Sequence, residues 1–383
     1  MEYYSQEQQA FQKTIRDFFE HEVNPHIDEW EKARIFPAHN VFKRCGELGM
    51  LGINYEERYG GAGLDYWWTA ASCEAMGYAC QCNGIPMAIM VQTDMCTPAL
   101  HDFGSDELKR RWLTPSIRGE VVGAIGVSEP CAGSDVFSIQ TTARRDGDFY
   151  VINGSKIFIT NGTQADYVTT LVKTDPSAGH HGFSLIVVPT DTPGFGVAKK
   201  LEKVGNHSSD TAELLFEDCR VPAANRIGDE GMGFIYQMKQ FQKERMVAAI
   251  SAAAAAQSAL DRTVQYTRDR KVFGKPLLAK QHVQFTLAEL QSEIEMLRQL
   301  NYHCVRMMVA GEDSTRETSM AKLVAGRLAR KVADWCVQFH GGYGYMDEFL
   351  VSRYWRDARL LSIGGGADEV MLQIIAKLEG YGM

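Results

Sequence analysis

Glu244 lies between two cations in Gln242-Lys243-Glu244-Arg245. On a helix it shares a face with Phe241 at i−3 and Ala248 at i+4. That face reads as apolar. A carboxyl there rises above its reference pKa of about 4.3, toward what a general base needs near neutral pH. The competing reading is a solvated carboxylate held between Lys243 and Arg245.

Four further groupings carry chemistry-bearing side chains. Val127-Ser128-Glu129-Pro130-Cys131-Ala132-Gly133-Ser134-Asp135 is a loop of small and hydroxyl residues, whose backbone N–H groups suit an anion or a polar ring edge. Taken alone it reads first as a plain turn entering the β domain. It is no G-x-G-x-x-G fingerprint, which excludes a Rossmann reading. In Ile157-Phe158-Ile159-Thr160-Asn161-Gly162 the aromatic and the hydroxyl are two apart on a strand and point to one face, where they could flank a flat heteroaromatic ring. An ordinary strand end fits as well. Arg270-Lys271-Val272-Phe273-Gly274-Lys275 closes a long helix with cations, which the helix dipole alone favours by about 0.3–1 kcal/mol. Gln338-Phe339-His340-Gly341-Gly342-Tyr343-Gly344-Tyr345 allows close backbone approach at its glycines, or a plain helix cap; His340 alone reads as packed or capping.

The elements that must position these groups follow from periodicity. Residues 5–33, 66–81 and 105–118 repeat apolar side chains every three or four positions and predict helices, with Tyr59-Gly60-Gly61-Ala62-Gly63 as a loop. From about residue 121 the segments are short and β-branched. Asn153-Gly154 between two apolar runs predicts a hairpin, and strands are expected at Tyr167–Lys173, Gly182–Pro189 and Ala212–Phe216. Helices return over about 232–269, 280–311, 314–340 and 366–379, the first carrying Ala252 to Ala256, small enough to admit another helix. The order helix, strand, helix predicts an α+β chain of three domains: 1–120 helical, 121–230 β, barrel or sandwich, and 231–383 helical.

The 383 residues are 45% hydrophobic and 23% charged with net charge −8, which suits a globular protein and argues against nucleic-acid or membrane-surface binding. The run Lys109-Arg110-Arg111 reads as a solvated helix face. Nine scattered cysteines give neither a disulfide framework nor zinc spacing, so no metal and a reducing compartment, the cytoplasm, are expected. No basic region precedes an apolar stretch at the N-terminus, and no apolar run is long enough to span a membrane.

Taken together, Tyr59-Gly60-Gly61, Ser128 to Asp135, Thr160-Asn161-Gly162, Phe216-Glu217-Asp218-Cys219-Arg220-Val221-Pro222, Arg270 to Gly274 and Gln338 to Gly342 resemble the acyl-CoA dehydrogenase family in order and spacing over essentially the whole chain. The resemblance implies a helical domain, a middle β-barrel domain and a C-terminal four-helix bundle. It implies FAD as cofactor, an acyl-CoA substrate, an electron-transfer flavoprotein as partner, and a homo-oligomer, usually a tetramer. Ile125, Val127, Ser128, Ser134, Phe158 and Thr160 would contact the flavin or the thioester. Arg270, Phe273, Gln281, Gln338, Gly341 and Gly342 would reach the adenine-dinucleotide half in a neighbouring subunit, and Glu369 would hold the cofactor. Ser134, Gln242, Arg245, Gly365 and Gly366 would border the substrate.

Many members carry the catalytic base in a Tyr-Glu-Gly-Thr segment. Here Gly364-Gly365-Gly366-Ala367 stands there, and glycine takes no proton. A smaller group, including isovaleryl-CoA and long-chain acyl-CoA dehydrogenases, places the base on the long helix, where Glu244 falls. The three glycines remove bulk beside the acyl chain, so a branched or bulky chain is expected. Ala367 replaces a threonine that contacts FAD in relatives, and Asn206-His207 stands where an arginine is common. The rival reading on this scaffold is a flavin oxidase, of which the nitroalkane oxidases use an Asp where Gly365 stands; a non-catalytic acyl-CoA-binding protein is a second rival.

Overall fold

The computed structural model describes residues 3–381. The first segment is helical, with α1 (Gln6–Phe18), α2 (Ile27–Ala33), α3 (Ala38–Glu47), α4 (Tyr66–Ala79), α5 (Gly84–Met90), α6 (Pro98–Phe103), α7 (Asp106–Leu108) and α8 (Thr114–Ile117). A capping box starts α1: Ser5 Oγ accepts from the Gln8 N–H and Gln8 Oε1 accepts from the Ser5 N–H. A π turn at Phe19–Val23 follows α1. Its extra residue turns the consecutive Phe18 and Phe19 both into the core. A second π turn, Val91–Cys96, carries Gln92, Thr93 and Asp94. In the basic run, Arg110 and Arg111 are exposed but Lys109 is buried, its ammonium 5.3 Å from the Tyr59 ring centroid.

The middle segment is an eight-stranded sheet: β1 (Gly123–Gly126), β2 (Thr142–Asp146), β3 (Phe149–Thr160), β4 (Tyr167–Lys173), β5 (Phe183–Pro189), β6 (Phe195–Lys200), β7 (Thr211–Pro222) and β8 (Arg226–Ile227). The order is β6-β7-β3-β2-β4-β5-β8, with β1 parallel to β4. Tyr150 and Ile152 of β3, Val168 and Val172 of β4, Ile186 and Val188 of β5, and Leu214 and Phe216 of β7 share one core. The sheet must therefore wrap around that core, although its hydrogen-bonded order has two ends. The opposite face of β4 and β5 (Tyr167, Leu171, Leu185, Val187) packs on Tyr55, Leu100, Leu113 and Ile117 of the helical segment.

The hairpin expected at Asn153-Gly154 is absent. β3 runs straight through, and the pair forms a bulge opposite β7. Asn153 exchanges hydrogen bonds with Asp218, Nδ2 to Oδ1 at 3.0 Å and Oδ1 from the Asp218 N–H at 2.8 Å, so the strand bends instead of reversing. The reversal comes earlier, at Gly147 (φ +58°), between β2 and β3. Strands β1, β2, β6 and β8 were not anticipated.

The last segment holds α9 (Gly233–Asp269), α10 (Gln281–Val309), α11 (Thr315–His340), α12 (Leu350–Ala358) and α13 (Asp368–Leu378). Of these, α12 escaped the periodicity reading. The small residues of α9 do admit another helix. A Cβ on Gly77 of α4 would lie 2.5 Å from the Ser251 carbonyl oxygen, so the two backbones pass in near contact. Their residues join Leu290 and Ile294 of α10 and Ala325 and Val332 of α11 in one core. Between α9 and α10, β9 (Lys271–Val272) and β10 (Lys275–Pro276) form a tight hairpin. Among the described residues no helix is long and apolar enough to cross a membrane.

Candidate active site

Glu244 lies in the first half of α9 and is 6% exposed. Its face is lined with amides rather than hydrocarbon. The Gln240 Nε2 donates to Glu244 Oε1 at 3.0 Å, and the Gln237 Nε2 to the same oxygen at 3.3 Å. Gln240 is itself fixed: its Oε1 accepts from the Ala99 N–H at 3.0 Å and its Nε2 donates to the Met95 carbonyl. One amide thus ties the carboxyl to α6 and to the Val91–Cys96 turn. Burial pushes the Glu244 pKa up to about 7; the Gln240 and Gln237 donors and the nearby Arg245 charge oppose that rise, and Asp94 adds to it. The solvated reading of Glu244 fails, because Lys243 turns to Asp102 at 3.5 Å and Arg245 is itself buried.

The segment after α12 faces α9. Gly365 and Gly366 have left-handed φ of +63° and +98°. A Cβ on Gly366 would lie 2.6 Å from Met371 Cε and 3.7 Å from Arg245 Nε, whereas one on Gly365 would meet nothing nearer than Lys322 Cε at 4.0 Å. Lys322, buried on α11, organises this loop: its ammonium donates to the Leu361 carbonyl at 2.6 Å and to the Gly366 carbonyl. Desolvation lowers its pKa to about 8. Neither the Gly365 nor the Gly366 N–H donates to a backbone carbonyl among the described residues. Ala367 caps α13 without a side-chain bond, Asp368 pairs with Arg330 at 3.2 Å, and Glu369 is exposed in the first turn.

A buried ion pair sets the loop after β1. Lys156 Nζ is 2.8 Å from Glu129 Oε1 and donates to the Val127 carbonyl at 3.1 Å, while Glu129 also accepts from the Gln140 and Thr141 N–H groups. Ile125, Val127 and Ser128 are half-buried along this edge, the Ser128 carbonyl accepts from the Ile157 N–H at 2.9 Å, and Ser134 is exposed. The plain-turn reading does not account for a carboxylate and an ammonium buried to hold the loop. Phe158 and Thr160 both point away from the core that Ile159 enters, but Phe158 does so through a bulge and a φ of +64°, and is 68% exposed. That strained, presented aromatic is what a flat ring would stack on.

Arg270, Phe273, Gln281, Gln338, Gly341 and Gly342 are all exposed. Phe273 and Gly274 form the tip of the β9–β10 hairpin, both with positive φ, and the Phe273 side chain is 97% exposed. Arg270 lies over the Tyr343 ring at 5.8 Å, which brings the hairpin to the end of α11. This group forms a surface of its own and does not join the Glu244 cluster. His340 is packed: it stacks on Tyr266 at 4.0 Å, and its Nδ1 bonds the Cys336 carbonyl at 2.7 Å.

Gln242 lines an open cleft with His180, Phe234, Met238 and Lys239. Its Oε1 and the Arg245 Nε are buried without a partner. These orphaned groups, the presented Phe158 and the pinned loop fit a chain that holds FAD and a polar ligand. The Asn206-His207 departure now has a physical reason. Asn206 takes a left-handed φ of +51°, so its N–H reaches Asp357 Oδ1 at 2.5 Å, and the Ser208 N–H reaches Glu31 at 2.8 Å, joining three segments of the fold.

Three residues beside Glu244 were missed. Gln240 and Gln237 stand at i−4 and i−7 of the carboxyl, a spacing legible in sequence. Asp94 comes from a distant turn and left no such signal.

The comparisons agree with this geometry. Models of the acyl-CoA dehydrogenase N-terminal, middle and C-terminal domains match residues 5–120, 124–219 and 231–379. The long-chain specific acyl-CoA dehydrogenase of Sus scrofa mitochondria is 38% identical over 376 residues, 98% of this chain and 86% of that protein. A crystal structure of acyl-CoA dehydrogenase from Geobacillus kaustophilus superposes with a TM-score of 0.95 at 41% identity, covering 98% of this chain and 99% of that one. A glutaryl-CoA dehydrogenase from Mycobacterium smegmatis, solved in complex with FADH2, gives a TM-score of 0.93 at 29% identity over 99% of this chain and 96% of its own. With helix, sheet and helix each matched along the full length and a buried carboxyl next to the Arg245 that packs against the glycine loop, the chain belongs to the acyl-CoA dehydrogenase family and uses FAD to dehydrogenate acyl-CoA thioesters.

Proposed function

We propose that Glu244 is the base that removes the α-proton of the acyl-CoA. The observation that carries this reading is a carboxyl buried on α9 and held by two amides, where burial pushes its pKa up to about 7, while Gly365 stands where the resemblance places the base of many relatives. Gln240 and Gln237 hold one carboxylate oxygen, leaving the other to take the proton. The Gly365 and Gly366 N–H groups would hold the thioester oxygen as negative charge develops there. Lys322 keeps that loop in place through two carbonyls. Bound FAD supplies the acceptor for the hydride that leaves the β-carbon, so the Cα–H and Cβ–H bonds break as the double bond forms, giving the trans-2-enoyl-CoA.

Ile125, Val127, Ser128, Ser134, Phe158 and Thr160 would hold the flavin end and the thioester. Ser134, Gln242 and Arg245 would border the CoA channel. Arg270, Phe273, Gln281, Gln338, Gly341 and Gly342 would complete the adenine half of a second copy's FAD in a tetramer, and their shared exposure supports that reading. Glu369, exposed on the first turn of α13, is proposed to hold the cofactor. The open space beside Gly365 supports a branched or bulky acyl chain. The family resemblance supports an electron-transfer flavoprotein as the electron acceptor.

An anaerobic titration with a panel of acyl-CoAs, followed by flavin absorbance, tests the reading. Wild-type protein should bleach, more readily with branched than with short straight chains. Glu244→Gln should keep FAD and bleach at least about a hundredfold more slowly. Near wild-type bleaching by Glu244→Gln would reject Glu244 as the base.

A further inference from the structure

Lys322 carries more charge than its visible task needs. It is 1% exposed on α11, and its ammonium donates to the Leu361 carbonyl at 2.6 Å and to the Gly366 carbonyl. Two carbonyls ask only for two N–H donors, which a neutral group supplies. Burying a full positive charge is costly unless a counter-charge meets it. Among the described residues no carboxylate pairs with Lys322. Asp368, on the neighbouring α13, is held instead by Arg330 at 3.2 Å and Arg327 at 3.8 Å. Arg245, which acts on Lys322 from α9, is a second cation.

The charge borders the proposed reaction centre. A Cβ on Gly365 would lie 4.0 Å from Lys322 Cε, so the lysine stem edges the open space there. The ammonium is one hydrogen bond from Gly366, whose N–H, like that of Gly365, donates to no backbone carbonyl among the described residues. When the α-proton leaves for Glu244, the electron pair of the Cα–H bond moves toward the thioester carbonyl and its oxygen becomes negative. A fixed cation speeds this step only if it stabilises that oxygen more than the carboxylate that takes the proton. Arg245 follows Glu244 on α9 and opposes the rise in its pKa, so it also stabilises the carboxylate beforehand. Lys322 stands on the loop side, where Asp368 and Arg245 are the charges that act on it.

We infer that the Lys322 ammonium is the electrostatic partner of the thioester oxygen, its charge favouring the enolate-like state across the glycine loop as the α-proton leaves. The inference rests on the reading of Glu244 as the base and of the Gly365 and Gly366 N–H groups as the thioester site. A neutral amine keeps two N–H donors, so both carbonyl bonds can survive deprotonation while the charge is lost. Charge and loop support are therefore separable by pH.

Burial lowers the Lys322 pKa to about 8, still protonated near neutral pH. The kcat/KM of the wild-type holoenzyme should therefore show a basic limb near pH 8, with a fall of at least about tenfold beyond it. Lys322→Arg, whose guanidinium stays charged, should move that limb beyond about pH 10. A second readout needs no turnover. A 3-oxoacyl-CoA has an α-proton acidic enough to leave, and its absorbance gives the enolate-to-keto ratio of the bound ligand. Near neutral pH, Lys322→Met should lower that ratio by at least about tenfold, and Lys322→Arg should keep it. The ratio is read on bound ligand alone, so a loss of stability or affinity does not move it. A wild-type profile flat from neutral to about pH 9, a basic limb unmoved in Lys322→Arg, or a ratio unchanged in Lys322→Met would each overturn the inference. Failure of the base reading shows separately, as acyl-CoA turnover that survives Glu244→Gln.

Discussion

The Gln240 amide donates to Glu244 Oε1 at 3.0 Å from one turn earlier on the same helix, and its carbonyl oxygen is held by the Ala99 N–H. The carboxyl is thus positioned by a side chain that is anchored from a second element. A donor to the carboxylate favours its charged form. Replacing Gln240 with Met should therefore raise the Glu244 pKa and move the acid limb of the kcat/KM profile to higher pH. The loss near pH 6 should be roughly tenfold, in line with a hydrogen bond to a charged group. A profile that keeps its position would show that the amide does not govern the titration.

Stability should carry the same proton. Burial raises the folded-state pKa of Glu244 from 4.5 to about 7, so the native state binds that proton more tightly than the unfolded chain. Its contribution is full below pH 4.5 and is lost as pH rises through 7. Glu244→Gln removes this dependence. Thermal melts should show the variant gaining on wild type between about pH 5 and about pH 8, by up to about 3 kcal/mol. A gap that stays constant with pH would contradict it.

Lys156 and Glu129 form a buried pair at 2.8 Å. Removing one partner leaves an uncompensated charge, at a cost of about 3–5 kcal/mol. Lys156→Met should loosen the Val127–Asp135 loop and weaken FAD retention, measured as cofactor released on gel filtration. Lys156→Arg should release less than Lys156→Met.

Gly366→Ala combines a φ of +98° with a Cβ 2.6 Å from Met371 Cε. The Met side chain is flexible, so backbone strain dominates, about 1–3 kcal/mol. Denaturant melts should show that loss. Truncating Met371 as well should relieve little of it.

Much of the architecture was legible because long amphipathic helices declare themselves. α9, α10 and α11 fall within a few residues of their expected bounds. The β segment was harder. Asn153-Gly154 has hairpin chemistry, but its partner Asp218 is 65 residues away and converts a turn into a bulge. Strands β2 and β6 are largely unburied and weakly patterned, and β1 and β8 are only four and two residues long, so none of them shows a period. At the site, Glu244 alone was ambiguous and only the family resemblance singled it out. Gln240 and Gln237 were readable from helical spacing, whereas Asp94 and Lys322 join the site from distant segments.

The loop Gly364-Gly365-Gly366 and the helix bearing Glu244 meet across the site from different parts of the chain. Under the proposed assignment, proton removal and accommodation of the acyl group are encoded by separate stretches of sequence. Substitutions in the glycine loop can then retune which chains fit while the acid–base chemistry stays in place. Such modularity makes substrate range an easily diversified trait, and the same catalytic helix can serve descendants with quite different diets.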